Sequence, residues 1–145
     1  METELETKLP PDSVVAALTD FSDRRPDVWS GLKREQYEVY EVGDTWAEVR
    51  EGSSKSIWAR ERYDWSTPGT VKWTVVDSPF SSTGDSVTVT ASPSGTGSKV
   101  HIAWRRRGKT VLSKVMLAIL SLFMGTVLKR YVKKTLDGIA AGTPK

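Results

Sequence analysis

Glu61 and Tyr63 are the pair of residues in this sequence best suited to chemistry. They stand two apart in the stretch Arg60-Glu61-Arg62-Tyr63-Asp64-Trp65, so on a strand both point the same way. The segment that follows, Thr70–Asp77, alternates sharply: Val71, Trp73 and Val75 fall on one side, Lys72 and Thr74 on the other. An odd-numbered connection between the two segments would bring Ile57, Ala59, Glu61, Tyr63 and Trp65 onto the apolar side. An even one would bring Trp58, Arg60, Arg62 and Asp64 there instead. The first register leaves one acid on that face and the second buries three charges, so the first is expected. A carboxylate turned inward among aromatic rings has its charged form disfavoured, which raises its pKa and fits it to act as a general acid or base. Tyr63 could then orient a carbonyl or hydroxyl of a ligand. The plainer alternative, Glu61 pairing with an arginine at the sheet edge, stays open.

Other chemistries are excluded by composition. The chain has no cysteine and one histidine, which removes thiolate metal sites, a catalytic cysteine, a redox motif and any site needing two imidazoles. No metal or cofactor is expected. His101 should point outward with Arg105, as a surface residue. Ser94-Gly95-Thr96-Gly97 lacks the following helix that a phosphate-cradling loop requires. The run Arg105-Arg106-Arg107-Gly108-Lys109 is the densest positive cluster, yet no nucleic-acid motif accompanies it. The aromatic residues are expected on the concave face and not among those arginines. No nucleic-acid partner is therefore expected, and an anionic head group at the cavity mouth or simple solvation accounts for the cluster.

The elements that must position these residues are legible from pattern. The chain of 145 residues has room for one core, so 1–145 is expected to be one domain. Thr3–Leu9 alternates as a first strand, stopped by Pro10-Pro11. A helix follows to about Asp20, with Pro11 in its first turn and Asp12 or Ser13 as its cap. A short second helix starts at Arg25-Pro26-Asp27. Six strands then form three hairpins: Glu35–Val42 with Thr45–Glu51 around Gly43-Asp44, Ser56–Ser66 with Thr70–Asp77, and Ser86–Ser92 with Lys99–Arg107 around the loop Pro93–Ser98. Val100, Ile102 and Trp104 face inward from the last strand, and Val87 and Val89 from its partner. A long proline-free helix over Val111–Ile139, about 43 Å in length, closes the chain. One such helix must cover one face of a curved antiparallel sheet of seven strands, an α+β arrangement.

Charge and hydropathy divide that last helix. Residues 1–100 carry 11 Lys and Arg against 17 Asp and Glu, whereas residues 101–145 carry 10 against 1. In the second half Leu128, Tyr131, Val132, Leu136 and Ile139 share one face, with Lys129, Arg130, Lys133 and Lys134 elsewhere. The first half, Val115–Leu128, is apolar all round and needs a second cover. An anionic membrane touched peripherally, a second copy in a homodimer, or the two short helices could each supply it. The run is too short to span a bilayer, and the acidic N-terminus is unlike a signal peptide, so a cytoplasmic location is expected.

Three stretches carry a family resemblance: LPPDSVVAALTDFSDRRPDVW, RERYDWSTPGTVKWTV and TVLKRYVKKTLDGI. With the element order β-α-α-β-β-β-β-β-β-α, they resemble the helix-grip fold shared by START lipid-transfer domains, plant pathogenesis-related allergens and the polyketide cyclase/dehydrase family. The resemblance implies a cavity between the long helix and the concave sheet, holding a small hydrophobic or amphipathic ligand such as a lipid, fatty acid or polyketide-like molecule. Trp29, Tyr63, Trp73, Val75, Val89, Trp104, Met116 and Leu120 are the residues expected to line it, although core packing is the commoner use of tryptophan. A carrier is the leading expectation. A cyclase or dehydratase using Glu61 and Tyr63 for proton transfer is the alternative, and an adaptor acting through protein contacts is a third.

Overall fold

The computed structural model describes residues 1–107 and 110–141, and the side chains of these apart from 113 and 116–125. Its elements run β1 (Glu2–Thr7), α1 (Pro11–Leu18), α2 (Arg25–Val28), a 3₁₀ turn (Arg34–Gln36), β2 (Glu38–Val42), β3 (Trp46–Gly52), β4 (Trp58–Asp64), β5 (Thr70–Asp77), β6 (Ser86–Ser94), β7 (Gly97–Arg105) and α3 (Val111–Ala140). The seven strands form one open antiparallel sheet in the order β1-β7-β6-β5-β4-β3-β2. This is the α+β helix-grip arrangement, with the first and last strands paired and α3 laid back across them.

The registers follow from which side of each strand is apolar. Tyr63 pairs with Trp73 and Glu61 with Val75, so the β4–β5 connection is odd-numbered. Ala59, Glu61 and Tyr63 are accordingly buried under the sheet, as are Ala47 and Val49 on β3 and Val71 and Val75 on β5. A β-bulge interrupts this ladder: Arg60 pairs with Asp77 while Glu61 pairs with Val75, which leaves Val76 as the extra residue. Bulges bend a strand and re-aim its neighbours, and this one lies beside the carboxylate of interest.

Two turns differ from expectation. The β2–β3 turn is Asp44-Thr45, one residue later than the expected Gly43-Asp44, because Gly43 N–H still bonds to Trp46 O at 2.8 Å. Gly43 is needed for a close approach: a Cβ there would lie 2.1 Å from Trp46 Nε1. Pro93–Ser98 is not a long loop. Pro93 pairs with Ser98 and Ser94 with Gly97, leaving the two-residue turn Gly95-Thr96 with Gly95 at φ 60°. A tight hairpin requires positive φ at its first turn residue, which glycine adopts without strain. The first helix also ends early, at Leu18, and its cap is Pro10 with no side-chain hydrogen bond, in place of Asp12 or Ser13. Asp20 instead accepts the Ser22 N–H at 3.1 Å, which turns the chain.

Only the second half of α3 is anchored by described contacts. Val132 and Leu136 are buried, with Leu128, Tyr131 and Ile139 packed partly against the same core. Thr7 Oγ1 donates to Asp137 Oδ1 at 2.9 Å, and Lys133 Nζ donates to Glu6 O at 2.8 Å. At the start of the helix Val111 is 80% exposed, Leu112 70% and Val115 49%. The apolar stretch between, including Met116 and Leu120, lies outside the described side chains. Among the described residues no helix is long and apolar enough to cross a membrane.

Candidate functional site

Sheet and helices border an open cavity of about 650 Å³. Its floor is the inner face of β3 to β7, its roof is α3 from Val127 to Val132, and α2 with the following turn closes one end. Of the expected residues, Trp29, Tyr63, Trp73, Val89 and Trp104 line it, and so does Glu61. Val75 is buried on the same sheet face but does not line the cavity. Met116 and Leu120 fall outside the described side chains.

Tyr63 is held on every side. Its ring stacks on Trp73 at 5.1 Å between centroids and meets Phe21 edge-on at 4.8 Å. Its hydroxyl accepts from Arg25 Nη2 at 3.2 Å and donates to Glu51 Oε1. Arg25, delivered by α2, commits four of its five N–H donors within the protein. Its Nε donates to Glu51 Oε2 at 2.8 Å and its Nη1 to the carbonyls of Leu18 at 2.9 Å and Asp20 at 3.2 Å. The guanidinium also lies over the Phe21 ring at 4.5 Å. Burial opposes the charge on Arg25, but Glu51 and the Tyr63 oxygen outweigh it and bind the proton more firmly. Burial, reinforced by the Glu51 charge, pushes the Tyr63 phenol well above its ordinary value. Tyr63 therefore remains protonated with its one proton committed to Glu51. A proton committed in this way is not offered to a ligand carbonyl.

Glu61 is the opposite case. It is buried beside Val49 and Val75, and among the described residues it has no hydrogen-bond or ion-pair partner. Burial pushes its carboxyl up to about 8, with the Glu51 charge adding to the rise and those of Arg106 and Arg25 opposing it. At neutral pH it is a neutral acid facing the cavity, able to donate one hydrogen bond. The edge-arginine alternative is not what the structure contains.

Several polar residues besides those expected line the cavity. Within the basic run expected at the cavity mouth or in solvent, Arg105 and Arg107 point outward while Arg106 lines the cavity and donates from Nη1 to Ser81 Oγ at 3.3 Å. The parity of Val100, Ile102, Trp104 and Arg106 signals this, as that of Ala47, Val49 and Glu51 signals Glu51. Gly108 and Lys109 of the same run lie outside the described residues. Tyr131 lines the roof and accepts the Gly31 N–H at 3.0 Å, with burial raising its phenol pKa. Aromatic residues are not confined to the concave side either. On the outer face Arg60 lies over Tyr40 at 4.0 Å and Arg62 over Trp46 at 4.3 Å. His101 sits at the β1–β7 edge with Nε2 3.1 Å from Glu2.

Comparison with known proteins places this geometry. A sequence model described as polyketide cyclase/dehydrase and lipid transport matches residues 1–142. Among solved structures, a START superfamily protein from Mycobacterium smegmatis superposes with a TM-score of 0.75 at 10% identity, covering 98% of this chain and 97% of that one. A protein from Thermus thermophilus gives 0.73 at 16% identity, covering 99% and 100%. The Zhui aromatase/cyclase from Streptomyces gives 0.67 at 17% identity, covering 99% and 97%. At these identities the likeness is one of fold. A search of curated proteins finds no match.

Proposed function

The chain belongs to the polyketide cyclase/dehydrase and lipid transport family, and on that premise we propose that it is a binding protein holding a small hydrophobic or amphipathic ligand in the cavity between sheet and α3. The observation that carries this reading is the cavity itself. Its volume of about 650 Å³ lies within the usual range of ligand pockets, and Trp29, Trp73 and Trp104 wall it with apolar surface. A tight core closes over its tryptophans, since empty space forfeits dispersion contacts. Filling this space with an apolar ligand restores them.

A reading as a cyclase or dehydratase is favoured by one observation, the buried carboxyl of Glu61 lining the cavity, its pKa pushed up by that burial. Acid-base chemistry on a poly-carbonyl substrate needs a second group within reach of the same atom. Tyr63, held between Arg25 and Glu51, does not supply it, so binding is the better supported role.

We assign the exposed start of α3 to peripheral contact with an anionic membrane. Val111, Leu112 and Val115 are exposed on a turn of helix that also exposes Lys114, the pairing of apolar and cationic residues that suits an anionic interface.

The test of the main reading is titration with N-phenyl-1-naphthylamine, an uncharged fluorescent probe. Saturable binding of one probe per chain, with quenching of tryptophan emission, is expected. Absence of saturable binding would overturn the carrier reading.

A further inference from the structure

The polar residues of the cavity fall into two sets with different chemistry. Arg25, Glu51 and Tyr63 satisfy one another, and their charges cancel. Glu61 and Arg106 do not belong to that clasp. Glu61 is buried, at 6% exposure, lines the cavity and has no hydrogen-bond partner among the described residues. Arg106 also lines the cavity, and its one described hydrogen bond, from Nη1 to Ser81 Oγ at 3.3 Å, leaves further N–H donors. A buried polar group without a partner costs stability, so such a group in a cavity marks where a ligand atom belongs.

Resting on the carrier reading above, we propose that the ligand is an amphiphile with a carboxylate head, seated between Glu61 and Arg106 with its apolar tail along the tryptophan wall. Glu61 donates its proton as a hydrogen bond to one carboxylate oxygen, and Arg106 supplies the opposing charge. No covalent bond changes, and one proton is shared between the two carboxyl groups. The charges around the seat favour an anion over a cation. Glu51 on β3 is already neutralised by Arg25 from α2, Tyr63 on β4 and Tyr131 on α3 are uncharged, and Glu61 is neutral at pH 7. Among the described residues of the cavity, Arg106 is then the charge without a counterion. An ammonium head would face a guanidinium and an acid that prefers to stay neutral. An alcohol would satisfy Glu61 and leave the Arg106 charge without a counterion.

Calorimetric titration with dodecanoate, dodecanol and dodecylammonium separates these cases. At pH 7 dodecanoate is expected to bind about tenfold or more tighter than the other two, as befits a charge-assisted contact. Above pH 8 Glu61 must take up a proton to bind the anion, so affinity for dodecanoate should fall about tenfold per pH unit. Glu61→Gln removes that fall, and Arg106→Gln narrows the gap between dodecanoate and dodecanol. Equal binding of dodecanoate and dodecanol would overturn the head-group assignment while leaving the carrier reading intact, as would preference for dodecylammonium. A fall above pH 8 that persists in Glu61→Gln would also overturn it. Failure of all three probes to bind would overturn both.

Discussion

Arg25 and Glu51 meet at 2.8 Å under the sheet, joining α2 to β3 across 26 residues of sequence. The Arg25 side chain is 4% exposed, so its charge depends on this partner and on two backbone carbonyls. Removing one member of a buried pair strands the other, a loss of about 3–5 kcal/mol. Arg25→Ala is therefore expected to lower stability by that amount in urea unfolding. A loss below about 1 kcal/mol would show that the clasp does not hold α2 to the sheet.

The enclosed carboxyl gives stability a second, pH-linked component. Unfolded, Glu61 titrates near 4.5; folded, near 8. Its folded-state pKa is raised, so the stability it allows is fully present below 4.5 and is lost as pH rises through 8, at about 1.4 kcal/mol per unit between those limits. Glu61→Gln cannot ionise and removes this slope. Urea midpoints of the two proteins should therefore diverge from pH 5 to pH 8, with the variant becoming relatively more stable. Parallel curves over that interval would disprove an acid held neutral by burial.

Much of this architecture is readable from alternation, and the exceptions are physical. The odd β4–β5 connection follows from Val71, Trp73 and Val75 alternating with Lys72 and Thr74, and it places Glu61 inward. What Tyr63 does is another matter, because its hydroxyl is occupied by an arginine 38 residues away on a helix, a contact without periodicity. The Pro93–Ser98 stretch reads as loop by composition, although its backbone continues the ladder to Ser94 and Gly97. The β2–β3 turn is shifted because the Trp46 indole packs over Gly43, which side-chain pattern does not record.

Space in the cavity can be distinguished from packed core by the same change at two positions. Val89 lines the cavity, whereas Val71 is buried without touching it. A tryptophan at 89 has room, so Val89→Trp should abolish binding of N-phenyl-1-naphthylamine while keeping the unfolding midpoint. Val71→Trp must displace its neighbours and should lose about 1–3 kcal/mol. Retained probe binding in Val89→Trp would place the probe elsewhere on the molecule.

The two halves of α3 should respond to mutation in opposite ways. Leu136 is 0% exposed, in the anchored half that bonds to Thr7 and Glu6 through Asp137 and Lys133. Leu136→Ala leaves a cavity there and should reduce stability by about 2–5 kcal/mol. Leu112 is 70% exposed and near cationic Lys114, so Leu112→Glu should change stability by no more than about 0.5 kcal/mol. Its effect belongs to the membrane contact assigned to this end of the helix. Vesicles containing phosphatidylglycerol should carry the native chain in flotation at low salt, and carry Leu112→Glu less. Added salt should release the native chain, because the attraction of exposed lysine and arginine for the lipid surface is screened within about 10 Å at 0.1 M. A native chain that stays behind in flotation and sediments as a dimer broken by Leu112→Glu would assign this surface to a second copy of the chain.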